Sequence, residues 1–422
     1  MKRKAKEIFI IVALILFLIP GLFAICSGVR RAVEISNDPH YENPDATFVK
    51  EYPFTVADPD RTAADGSNWL NQYLTKEEKL TGFIEHYSGS SSMIAPPFLY
   101  VYGKIENALG KNVIDDAEQP VVKLDNGYLT FAYLSSQGSA DYTAILDFHD
   151  WLTQRGIPFL FILPAEKSDG RYAVYPKGYP QGQAETLDKY LKCLEDNGIS
   201  CLDSTETLVS ENKDFYSWFY KTDHHWNVHA GFSIAKAIAQ RLKTAFSLPV
   251  EPDILDKTQF DTVLYEDLFL GSQGKKATLG YTSSEDFEVY YPLFTTSFSI
   301  EIPSRKIEQT GLFESTLIDV LSLKAGNAYV NGAYPAFLYG DVPLARIHNL
   351  TCNNGTRALM IKTSDANVVD TYLAFTVEYL DIIDPRHFDG SIKAFIEATD
   401  PDVVMTCTYP SEALDQKMLD IK

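Results

Sequence analysis

Residues 358–408 read ALMIKTSDANVVDTYLAFTVEYLDIIDPRHFDGSIKAFIEATDPDVVMTCT, and their rhythm decides the fold class. Ala358–Lys362, Tyr379–Ile383 and Val403–Thr408 are short apolar runs, the pattern of strands buried on both faces. Between them, Val368–Glu378 and Ser391–Ala398 carry apolar residues at helical spacing. Strands alternating with helices of this length predict an α/β fold, a parallel sheet covered by helices on both faces.

Upstream, residues 121–247 follow the same grammar. Gly127–Tyr133 reads as a strand, Tyr142–Arg155 as a helix ended by Gly156 and Pro158, and Pro158–Leu163 as a buried strand. Thr186–Glu195 reads as a helix, Ile199–Leu202 as a strand and Ala230–Thr244 as another helix. Residues 248–355 break the alternation with Tyr, Phe, Thr and Ser, and are expected to form a partly β insertion before the α/β pattern resumes over 356–422. Residues 32–120 read as a linker and N-terminal segment, with an amphipathic stretch at Trp69–Phe83.

Residues 1–31 carry a different signal. Lys2, Arg3, Lys4 and Lys6 precede an uncharged run from Ile8 to Cys26. As a helix that run measures about 28 Å, close to a bilayer's hydrocarbon thickness. It is longer than a usual signal-peptide core and is followed by a poor cleavage site. The expectation is a single-pass membrane anchor with a cytoplasmic basic tail, which places the rest of the chain outside the cytoplasm. Among 422 residues, the 45% apolar and 13% aromatic content marks a folded protein. A net charge of −20 argues against nucleic acid, whose phosphates need clustered Lys and Arg. Cys193, Cys201, Cys352 and Cys407 match no zinc spacing, and either disulfides or free thiols fit them.

The residues suited to chemistry cluster at Thr222-Asp223-His224-His225-Trp226, followed by His229, which holds three of the eight histidines. A carboxylate beside an imidazole fixes its tautomer and stabilises the imidazolium. In an extended segment Asp223 and His225 point the same way. Three readings fit the spacing: a hydrogen-bonded polar loop, a metal site from Asp223, His225 and His229, or a base awaiting a nucleophile. The best nucleophile is Ser364, just past the strand Ala358–Lys362 and before a helix. Ligands and reactive groups gather at such strand ends, and the amides of the turn suit an oxyanion. The plain alternative is that Ser364 caps the helix.

The Thr222–Trp226 string, the turn Ser364–Asn367 and Ile383-Asp384-Pro385-Arg386 together resemble the bacterial DHHW proteins, which are similar to the SGNH-hydrolase-like domain of the alginate O-acetylation proteins. The resemblance spans about residues 120–422. It implies a catalytic triad in which Asp223 orients His225 and His225 activates Ser364. It also implies oxyanion or substrate contacts from Gly271, Asn367, Arg386 and Trp226, and it calls for neither metal nor cofactor. Pro164 and Lys167 resemble a P-x-x-K turn of the same group and Gly271-Ser272 a glycine-containing turn; a turn glycine, a surface lysine and a salt-bridged arginine are the plain alternatives for Gly271, Lys167 and Arg386. The turn departs from the usual G-D-S, since Lys362-Thr363 precede Ser364 and Asp365 follows it. An inward Asp365 carboxylate opposes a negatively charged transition state; an outward one near the helix N-terminus is harmless.

The implied activity is serine-dependent acyl transfer, an O-acetylation of a cell-envelope or exported polysaccharide with a multi-pass membrane acyltransferase as acyl donor. A carbohydrate esterase, a glycan-binding module without turnover and a metal-dependent hydrolase remain as alternatives.

Overall fold

Strand β4 (Phe159–Leu163) is buried at all five positions, and its side chains divide between two cores. Leu160 and Ile162 enter one, with the helix Val228–Ala245 and the helix Ala366–Leu373. Phe159, Phe161 and Leu163 enter the other, with helices Thr143–Thr153, Ala184–Asp196 and Ile392–Thr399. Side chains alternate along a strand, so a run apolar at every position requires cover on both faces.

The structure, a computed structural model, describes residues 95–114, 120–131, 142–173, 175–176, 184–212, 214–324, 328 and 332–409. The chain divides into two units, Met1–Phe98 and Leu99–Lys422. Apart from the start of the helix Ala95–Ala108, the described residues belong to the second unit. The run Ile8–Cys26 and the stretch Trp69–Phe83 lie outside the described residues. Among those described, no helix is long and apolar enough to cross a membrane.

The main sheet has eight strands in the order β5 (Ser200–Asp203), β4, β13 (Val403–Cys407), β11 (Arg357–Lys362), β12 (Tyr379–Ile383), β10 (Leu344–Asn349), β8 (Phe298–Ile302) and β9 (Ile307–Gly311). From β5 to β12 neighbours run parallel. β10, β8 and β9 then continue the sheet antiparallel, so the sheet is mixed where a purely parallel one was expected. The reason lies in residues 298–302, buried at alternate positions. An antiparallel extension needs only one covered face, and Phe298, Ile300 and Ile302 supply it. Within 248–355, β6 (Phe260–Phe269) and β7 (Glu285–Pro292) form a separate hairpin, while β8, β9 and β10 belong to the main sheet. β1 (Val113–Ile114), β2 (Val121–Lys123) and β3 (Leu129–Phe131) make a small antiparallel sheet.

Caps set two boundaries that matter for the site. Asn227 accepts from the Ala230 N–H, so the helix after the histidine string begins at Val228. The helix after Ser364 covers Ala366–Leu373 and stops well short of Glu378. Asn349 Nδ2 donates to the carbonyls of Ala374 and Phe375 there, taking acceptors that a longer helix would have used.

Candidate active site

The histidine string sits on a tight turn closed by the bridge between Phe219 and Trp226. Two ionisable groups, the half-buried Glu285 and the buried Lys167, shape it. The Glu285 carboxylate accepts from the N–H groups of Lys221 (2.7 Å) and Thr222 (2.8 Å) and from the Thr222 hydroxyl. Lys167 Nζ donates to the carbonyls of Tyr220 (2.8 Å) and Lys221 (3.3 Å) and to Gln273 Oε1 (2.9 Å). Burial pushes the Lys167 amine down to about 7, against the pull of Asp223 and Glu285. It also pushes Glu285 up, against the hydrogen bonds from Thr222 and Lys221. Lys167 therefore serves as a buried clamp on the turn.

Asp223 and His225 are joined through a bend, where an extended segment was expected. Asp223 Oδ1 bonds His225 Nδ1 and also accepts from the His225 backbone N–H at 3.0 Å. Asp223 Oδ2 accepts from the Ser272 N–H. Burial alone would raise the Asp223 carboxyl, but His225, His224 and these bonds hold it well below the usual carboxylate range. For His225 burial disfavours the charged form, yet Asp223 overrides it and raises the imidazole above its ordinary value, with Asp365 and Asp341 adding to the effect. His224 is lowered by burial and by His225. His225 Nε2 is buried and has no hydrogen-bond partner.

Ser364 follows β11, and its carbonyl accepts from the Asn367 N–H and from the Tyr334 hydroxyl, both at 3.1 Å. Its own N–H makes no hydrogen bond among the described residues. Asp223, His225 and Ser364 line one cleft of about 440 Å³. Ser364 Oγ and His225 Nε2 are not hydrogen-bonded to each other. Free enzymes often hold such pairs loosely and tighten them on substrate binding. Asp365 is buried, with Oδ1 unpartnered, so its carboxylate lies on the inward side.

The four residues expected to meet substrate differ in fate. Asn367 and Arg386 line the cleft. Asn367 bonds Lys362 Nζ (2.5 Å) and donates to Asp341 (3.1 Å), while Arg386 donates to both oxygens of Asp384 and to Asp341. Gly271 lines the cleft, but its N–H is given to Thr222 Oγ1 at 3.0 Å and so is no oxyanion donor. The glycine is needed for close approach instead: a Cβ there would lie 2.1 Å from Asp223 Cβ. Trp226 is fully buried and donates to the Asp365 carbonyl at 2.7 Å, which makes it a support for the serine turn and not a substrate contact. His229 bonds Tyr290 and Glu288, and the compact donor sets among the described residues are Asp223, His224 and His225, and Asp341, Asp384 and His387, neither of which includes His229.

Sequence reasoning missed Tyr334 and Asp341, both on the cleft. Tyr334 stacks on His225 with ring centroids 3.8 Å apart. Neither sits in a local pattern that marks it. Only the fold brings them to the histidines.

Residues 128–268 match the family model of the SGNH hydrolase-like domain of the acetyltransferase AlgX. The match contains Asp223 and His225 and ends before Ser364. No curated protein matches the chain in sequence. Among solved structures, Bacillus cereus PatB1 is 21% identical over 71% of this chain and 99% of its own, with a TM-score of 0.59. PatB1 with a sulfonyl adduct gives 19% over 71% and 96%, with a TM-score of 0.57. A DHHW family protein from Eubacterium siraeum is 16% identical over 74% of this chain and 97% of its own, with a TM-score of 0.55. These likenesses establish a shared fold, and the resemblance drawn from the Asp223–Trp226 string agrees with them.

Proposed function

We propose that the protein is a serine-dependent O-acyltransferase acting on a glycan outside the cytoplasm. The observation that carries this reading is His225: one nitrogen rests on Asp223, and the other is buried, unpartnered and in the same cleft as Ser364. His225 Nε2 takes the Ser364 proton as Oγ attacks an ester carbonyl, and as the tetrahedral intermediate collapses the His225 imidazolium hands that proton to the departing alkoxide. The Ser364 N–H, which makes no hydrogen bond among the described residues, supplies the oxyanion donor in this reading. A sugar hydroxyl then attacks the acyl-serine, gives its proton to His225, and regenerates Ser364. With water as acceptor the same steps make an esterase, and product analysis separates the two. The basic N-terminus and the apolar run Ile8–Cys26 support anchoring in a membrane. A multi-pass membrane acyltransferase is the donor partner proposed for that arrangement.

A second reading rests on the inward Asp365 carboxylate and the unmade Ser364–His225 bond: a glycan-binding module without turnover. The test treats the full chain with phenylmethanesulfonyl fluoride, a sulfonyl reagent suggested by the PatB1 adduct, and maps the modified peptide by mass spectrometry. Modification at Ser364 that is lost in His225→Ala and Asp223→Ala supports the triad. An unmodified, folded protein overturns it in favour of binding alone.

A further inference from the structure

A second pocket, of about 220 Å³, is lined by Lys104, Lys123 and Lys221 with Asn107, Thr282 and Ser283 among its other walls. No carboxylate lines it, in a chain whose net charge is −20. None of the three lysines makes an ion pair among the described residues. Lys123 Nζ donates to Asn107 Oδ1 at 3.1 Å and lies over the Tyr281 ring; Lys104 Nζ lies over the Tyr100 ring. The Lys221 ammonium has no hydrogen-bond partner among the described residues. The hydroxyls of Thr282 and Ser283 are likewise unengaged among those residues. Three cations and two hydroxyls lining one pocket that no carboxylate lines form a site for an anionic oxygen group.

One wall of this pocket and one wall of the catalytic cleft lie close together along the chain. Lys221 is two residues from Asp223, and residues 280–283 follow closely on the helix Ser272–Ala277, whose first residue donates to Asp223. From this we infer that the lysine pocket is an anion-binding subsite for a carboxylate or phosphate group carried by the glycan acceptor. The acceptor role rests on the acyl-transfer reading above; the anion site stands on the pocket alone. A polymer carrying one charge in this pocket is held beside the cleft, so its charge selects which glycan is presented to Ser364.

The test measures binding by calorimetry to the full chain, using an oligogalacturonate, a poly(glycerol phosphate) and a neutral malto-oligosaccharide. Preference for the first or the second identifies the group as carboxylate or phosphate, and either supports the site. In Lys104→Gln/Lys123→Gln/Lys221→Gln that binding weakens by about 100-fold, the scale of losing several charge-assisted hydrogen bonds. The corresponding triple Lys→Arg variant retains binding, which separates lost charge from lost folding. Single Lys104→Gln, at an exposed helical position, gives a partial loss. Binding in Ser364→Ala is unchanged. Equal binding of acidic and neutral polymers, or full binding by the Gln variant, overturns the proposal. If Ser364 proves unreactive while the lysine dependence holds, the catalytic reading falls and the anion site remains.

Discussion

The Tyr334 ring lies 12° from parallel with the His225 imidazole, and the Tyr334 hydroxyl donates to the carbonyls of Ser364 (3.1 Å) and Asp365 (3.0 Å). One side chain thus backs the proposed base and holds the turn of the proposed nucleophile. Tyr334→Phe keeps the stack and removes both bonds. The expected result is a loss of about 1–2 kcal/mol in unfolding free energy. A drop of about 10- to 100-fold in kcat, with KM little changed, follows from a displaced Ser364. Urea denaturation and steady-state kinetics on a chromogenic acetyl ester check both; a fall in stability with kcat untouched would reduce Tyr334 to packing.

On the acyl-transfer reading, the acid limb of the rate profile is expected to be set by His225, which must be neutral to take the Ser364 proton. Its pKa is raised mainly by Asp223 against burial, so kcat/KM rises with pH through a value above 6.5. Asp223→Asn removes that support, moves the limb down in pH, and lowers kcat/KM by about 10⁴-fold, the scale for the orienting carboxylate in Ser-His-Asp enzymes. Stability follows the same pair. A folded pKa above the unfolded one gives His225 a contribution that is full below about pH 6.5 and is lost as pH rises through the folded value. Asp223, held low, contributes above about pH 3.9, and that is lost as pH falls through its folded value. The unfolding free-energy gap between wild type and His225→Gln is therefore expected to narrow as pH rises above 6.5.

Gly271→Ala places a Cβ against Asp223 Cβ and Oδ2 and 2.6 Å from its backbone Cα, so Asp223 as a whole must move. Overpacking of this kind costs about 1–3 kcal/mol. Because Asp223 is displaced from His225, the acid limb also shifts to lower pH. A destabilised protein with an unshifted limb would show that the backbone yields instead.

Arg386 is tied to Asp384, which is wholly buried, so Arg386→Ala leaves that carboxylate short of donors and costs about 1–3 kcal/mol. Arg386→Lys keeps the charge and loses the fork. The informative measurement is acceptor KM in the Lys variant alongside sulfonyl modification of Ser364. A raised KM with normal modification assigns Arg386 to acceptor binding; a change in stability alone assigns it to the Asp341–Asp384 cluster.

Much of the fold was legible in residues 358–408, because buried parallel strands and their covering helices leave local, periodic signatures. Tyr379–Ile383 is a strand with those same bounds. The antiparallel extension escaped because Phe298–Ile302 and Leu344–Asn349 show alternation without revealing which strand they join. Asp223 and His225 were legible for a similar reason, since two positions apart they meet through a local bend. Local signal alone thus marked the alternating strands and helices on either side of 248–355 and this one short-range pair. Tertiary structure alone decided the rest: the Trp226 bond to Asp365 spans 139 positions, and Tyr334 and Asp341 arrive from residues with no pattern of their own. It also turned Gly271 from a donor into a spacer and Trp226 from a contact into a support. The physical reason is that period and capping act over a few residues, whereas pairing, burial and orphaned donors depend on which strand ends the sheet brings together.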